Sequence, residues 1–163
     1  MRSGCLWPGF WGLLLTYLLV PIPFGSVPAG WLQPEQRLHE RTVIVEAFAR
    51  EKLWYWQKRL DLEAWKATLA IVRSSELRPN TLGNIRWDAV NQTATIRALD
   101  PADYSLPFRE MLDDIEFTVV HELIHLKRDV ELNNYSRSET NRSKEELRVN
   151  DITESLLKAD RGH

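Results

Sequence analysis

The stretch "PFREMLDDIEFTVVHELIHLK", residues 107 to 127, constrains this chain more than any other. Leu112, Ile115, Val119, Leu123 and Leu126 recur at three- and four-residue spacing, which predicts a helix. Phe117, Val120 and Ile124 form a second apolar stripe beside the first. A helix apolar on most sides must be covered on most sides, so the rest of the chain has to supply packing layers around it. Pro107 suits the first helical turn, with Glu110, Asp113 and Asp114 in the N-terminal half and Lys127 and Arg128 at the other end. The expected helix runs from Pro107 or Phe108 to Lys127.

The covering layers are legible in outline. From Pro34 to about Leu60, Val45, Phe48, Lys52 and Tyr55 to Trp56 recur at helical spacing. The aromatic cluster in "LWYWQKRLDLEAW" reads as a packing shelf for the core. Three strand candidates follow. "WKATLAIVRS" alternates around Ala67, Leu69 and Ile71, while "TLGNIRWD" and "TATIRALD" flank "AVNQ" as a hairpin. "DPADYSLP" is a loop broken by Pro101 and Pro107, and residues 129–142 are polar and irregular. A last helix is expected from Ser143 to about Ala159, with Val149, Ile152 and Leu156 on one face. The fold class is therefore α+β: an N-terminal helix, a small three-stranded antiparallel sheet, then two helices. With 163 residues, 44% hydrophobic and 27% charged, one globular domain over residues 30–163 is expected.

Residues 1–29 stand apart. Arg2 is their only charge, an apolar run extends from Leu6 to Val20, and Val27 and Ala29 have signal-peptidase spacing. This is the layout of a secretory signal peptide, with an uncleaved membrane anchor as the alternative. Secretion or export to a periplasm is the expected destination, and a membrane is involved only if the segment is retained. The net charge of −2 gives no basic excess for nucleic acid. Cys5, the only cysteine, lies in the same segment, so a mature chain has no thiolate ligand or disulfide. Any metal site must then use His, Asp and Glu. Nothing in the sequence sets the oligomeric state.

Inside the buried helix, "HELIH" places His121 and His125 four residues apart on one face, with Glu122 between them. Burying these groups is costly unless something satisfies them. At i, i+4 both imidazoles can reach one ion at about 2.0–2.1 Å, the distance of zinc–nitrogen bonds. Glu122 lies about 60° around the helix from His125, so it flanks the pair without ligating and can act as a base. A third protein ligand must come from elsewhere. His39 and His163 lack supporting context, whereas Glu145 and Glu146 follow His125 by 20 and 21 residues. That distance allows a chain reversal. Glu146 is preferred because Asn150, four residues on, could hydrogen-bond its carboxylate. Glu145 is the fallback, and a capping box from Ser143 to Glu146 would compete for Glu146.

"HELIH" followed by a helix opening "EELRVNDI" resembles the gluzincin metallopeptidases, which pair H-E-x-x-H with a glutamate on a later helix. The short chain is similar to the compact minigluzincins. In thermolysin-like members the later pattern is E-x-x-x-D; here Asn150 stands at the Asp position. The resemblance implies a zincin-like fold in which His121, His125 and Glu146 bind Zn2+. It implies a water on zinc activated by Glu122 as general base, then general acid, and a peptide or protein substrate. It also implies an edge strand that pairs with extended substrate, for which "TATIRAL" is the candidate by position. An oxyanion partner is implied too; Tyr104 or Tyr135 could serve. The residues 128–142 could cover the site. The rival expectation is a non-catalytic module in which zinc staples two helices.

Overall fold

The computed structural model describes residues 34–131 and 139–162. The signal segment, Tyr135, His163 and residues 132–138 of the loop lie outside the described residues. Three helices, α1 (Pro34–Arg59), α2 (Phe108–Glu131) and α3 (Glu139–Arg161), combine with strands β1 (Lys66–Val72), β2 (Gly83–Asp88) and β3 (Thr93–Leu99). The class is α+β, as the sequence predicts. Among the described residues, no helix is long and apolar enough to cross a membrane.

The central helix α2 buries Met111, Ile115, Val119, Val120, Leu123, Ile124 and Leu126. Each such side chain is worth about 1.5–3 kcal/mol relative to exposure. Val45, Ala49, Leu53 and Trp56 of α1, with Leu69 and Ile96 from the sheet and Val149 and Leu157 of α3, complete one core. Trp56 and Trp65 are buried there, while Trp54 is exposed. Lys127 does not end α2; its Nζ donates to the Leu60 carbonyl at 2.9 Å and caps the end of α1. The chain turns there through Asp61 at φ 56°, the left-handed conformation that ends many helices.

One charged group is deep in this core. Glu116 of α2 is 5% exposed. Its Oε1 accepts from Trp56 Nε1 at 3.0 Å and lies 2.9 Å from Lys52 Nζ, and its Oε2 lies 3.4 Å from Arg161. The carboxylate thereby ties α1, α2 and α3 together. Burial opposes its charge, but Lys52, Trp56 and Arg161 outweigh burial and hold its pKa below the ordinary value.

The sheet differs from the all-antiparallel expectation. Its order is β1-β3-β2, with β1 parallel and β2 antiparallel to β3. The hairpin is where the sequence places it; Asp88 accepts from the backbone of Val90 and Asn91 across the turn. The β1–β2 connection is the cause of the difference. It carries the chain around the end of β3 through a short 3-10 helix at Ser74–Glu76. There Arg97 of β3 donates to the Glu76 carbonyl at 3.1 Å and to its carboxylate at 3.0 Å. β2 therefore starts opposite Ala98, on the far side of β3 from β1. As a consequence "TATIRAL" is the central strand, paired on both sides, and cannot be the substrate edge. β2 is the edge on the α2 side.

Two details of α3 also differ. It begins at Glu139, so Ser143 is interior and cannot serve as the N-cap of a capping box. Val149 is buried and Leu156 packs half-buried against the core, as expected, but Thr153 and Leu157 complete the buried face and Ile152 is 38% exposed. The Thr153 hydroxyl is satisfied inside the core by the Val149 carbonyl at 2.8 Å. A polar residue that returns its own hydroxyl to the helix can occupy a core position.

Candidate metal centre

α2 and α3 bring His121, His125 and Glu146 together. The two Nε2 atoms are 3.1 Å apart, and Glu146 Oε2 lies 3.3 Å from each. Four ligands at 2.0–2.1 Å around a tetrahedral zinc are separated by about 3.3–3.4 Å. The three donors thus have the spacing of one tetrahedral face. Two imidazole nitrogens and one carboxylate oxygen are also a donor set that zinc takes. The residues fit a metal ion. His39, by contrast, is exposed on α1.

The two neighbouring glutamates divide between the two sides of His125. Glu146 faces Nε2, and Glu145 Oε1 lies 3.9 Å from Nδ1 and 3.9 Å from Arg128 Nε. Glu145 is therefore behind the ring and Glu146 in front of it. Asn150 approaches His121 rather than the Glu146 carboxylate, and favours the protonated ring. It closes no hydrogen bond on His121 Nδ1, which is buried without a partner. Phe117 stacks on the His121 ring at 6.0 Å. Burial, and then the charge of His125, lower the His121 pKa against the pull of Glu146. A neutral ring is the form that ligates metal.

Glu122 is 8% exposed and sits beside the cluster. Burial, and then the charge of Glu146, push its pKa up to about 7. The backbone N–H of Ile85 on β2 faces the carboxylate and opposes this rise. Pairing explains why that N–H is available. Leu99 N donates to Leu82 O at 2.9 Å, so in an antiparallel ladder the residues 82, 84, 86 and 88 bond β3. Gly83, Ile85 and Trp87 turn their backbone groups outward. β2 lies close against α2 at both ends: Gly83 abuts Thr118, and Trp87 Nε1 donates to Asp129 Oδ2 at 2.8 Å.

The cluster opens into a cleft of about 950 Å³ between β2, the β1–β2 connection, α2 and α3. Tyr104 does not line it; its hydroxyl donates to Asp114 Oδ2 at 2.8 Å. Burial and that carboxylate hold its proton on well beyond the ordinary tyrosine range. The sequence reading also missed the Ile85 contact and the position of Glu145 behind His125. A backbone N–H has no side-chain signature, and the side of a ring that a glutamate faces depends on helix packing.

The chain matches no protein-family model, no curated protein and no solved structure. Its fold and site define an α+β protein with a cluster that could bind a metal, formed by His121, His125 and Glu146.

Proposed function

We propose that this chain is a zinc-dependent metallopeptidase of the gluzincin type. The observation that carries the reading is Glu122, a buried carboxylate that lines the same cleft as His121, His125 and Glu146, beside the edge of β2. His121, His125 and Glu146 would hold the ion. Zinc, when bound, supplies Lewis acidity that polarises a carbonyl and makes water easier to deprotonate. Glu122 accepts the proton of the attacking water and returns it to the leaving amine. Burial beside the cluster keeps a carboxylate basic enough to take and return a proton. The outward edge of β2 would pair with an extended peptide and align its backbone with the cluster. A module that uses metal only as a staple has no need for a buried base at an open cleft. Export through residues 1–29 belongs to the same proposal, and N-terminal sequencing of secreted protein reads it.

Zinc-loaded wild type and Glu122→Gln are compared on internally quenched peptides. Both should hold stoichiometric zinc, and the variant should lose about 10²–10⁴-fold in hydrolysis. A zinc-loaded wild type that cuts no peptide sinks the peptidase reading; a variant as active as wild type removes Glu122 from it.

A further inference from the structure

Resting on the peptidase reading, the charge pattern of the cleft deepens it to a substrate class. The cleft is lined by four arginines, Arg78, Arg86, Arg97 and Arg142, and by four glutamates. The glutamates are engaged. Glu146 belongs to the cluster, Glu122 is buried beside it, Glu145 lies between His125 and Arg128, and Glu76 pairs with Arg97 at 3.0 Å. Arg78, Arg86 and Arg142 are exposed, and among the described residues none of them has an ion-pair partner. Asp88 is the other acidic side chain on the Arg86 face of β2, and its carboxylate is spent on Val90 and Asn91 of the hairpin turn. A divalent ion on the cluster would add further positive charge.

The positions of these arginines match an extended ligand. Arg86 sits opposite Thr95, on the sheet face that points away from α2. A strand added along β2 presents alternate side chains to that same face, with directly opposed Cβ atoms about 4.5–5.5 Å apart. Arg78 reaches the cleft from the β1–β2 connection. Arg142 stands one turn before Glu146 on the same face of α3, at the metal end of the opposite wall. We infer that Arg78, Arg86 and Arg142 select peptides that carry a carboxylate, on a side chain or at the C-terminus. Electrostatic complementarity of this kind sets specificity more than raw affinity.

The test walks one Glu, Gln or Lys along a short internally quenched alanine–leucine peptide, with a free or amidated C-terminus, and measures kcat/KM with zinc-loaded protein. At one position Glu should exceed Gln by about three- to tenfold, and Lys should be poorest. Arg86→Glu and Arg78→Glu should reverse that order. Arg50→Glu, the same charge change on α1 away from the cleft, should not. A preference lost on amidation assigns the carboxylate to the terminus; one retained assigns it to the side chain. Equal rates for Glu, Gln and Lys, or an order unchanged in both cleft variants, overturn the inference. If zinc-loaded wild type cuts none of the peptides, the peptidase reading falls by itself. Fluorescence polarisation of the labelled peptides on zinc-loaded Glu122→Gln then reads the selectivity separately. Tighter binding of Glu than Lys peptides, abolished by Arg86→Glu, supports it. Equal binding, or none, overturns it.

Discussion

Nε2 of His121 faces Nε2 of His125 at 3.1 Å, with both rings on one side of α2 and largely shielded from water. Two neutral imidazoles can share one hydrogen bond, and two protonated ones repel. A cation between them relieves both conditions, with Glu146 balancing its charge. Purified protein is therefore expected to hold one zinc per chain. His121→Ala should reduce metal to background by plasma emission spectroscopy. Because a metal that binds only the folded state stabilises it, zinc at about 100 times its Kd should add about 2.7 kcal/mol to wild type. The same zinc should not raise the melting temperature of His121→Ala.

The opposite placement of Glu145 and Glu146 about His125 predicts different losses. Glu146→Ala removes a donor atom and should abolish stoichiometric zinc. Glu145→Ala removes a group behind the ring; outer groups of that kind are worth about 10–100-fold in metal affinity. Chelator competition measures both. Equal affinities for the two variants would mean that α3 does not direct Glu146 and Glu145 to opposite sides of His125.

Glu116 predicts an acid-side dependence of stability. Its folded pKa lies below its ordinary value of 4.5, so its contribution is fully present above that pH. It is lost as pH falls through the folded value. Glu116→Gln should cost about 1–3 kcal/mol at pH 7, because Lys52 and Arg161 lose a charged acceptor. The wild-type and variant curves should converge below about pH 4.5 in urea unfolding of metal-free protein. Parallel curves across this range would mean that the Glu116 charge is not what ties the three helices.

The parts of the fold and site that were legible in the sequence are local. Periodicity in α2 and the hairpin around "AVNQ" depend on neighbours close in sequence, and the i, i+4 spacing of the two histidines is geometry within one helix. A chain reversal of known length narrowed the third donor to Glu145 and Glu146, but Asn150, which favoured Glu146 in the sequence, approaches His121 instead. The order of the sheet was not legible. It depends on which side of β3 the β1–β2 connection delivers the chain, a long-range choice that no strand pattern encodes. The same holds for Tyr104, whose hydroxyl is committed to Asp114 by packing. On α3, apolar spacing pointed to Ile152, yet Thr153 takes the core position by bonding its own helix. Hydropathy alone misplaces a buried face when one polar residue can satisfy itself.

Gly83 is the residue whose smallness links the fold to the proposed chemistry. A Cβ built there would collide with Thr118 Cγ2 and lie 2.8 Å from the Arg97 carbonyl oxygen. The second obstacle is backbone and cannot rotate away. Gly83→Ala must therefore shift β2 against both β3 and α2, at about 1–3 kcal/mol, the usual cost of overpacking. A built Cβ also lies 3.7 Å from Glu122 Oε1, so the shift is expected to disturb Glu122 and to lower kcat for peptide hydrolysis, while zinc content is unchanged, because none of the three donors is on β2. Adding Thr118→Ser removes the methyl obstacle but not the carbonyl, so it should recover part of the stability. Urea unfolding beside kcat on the four proteins of this double-mutant cycle separates the two effects. A Gly83→Ala protein with wild-type stability and wild-type kcat would show that the close approach of β2 to α2 is dispensable.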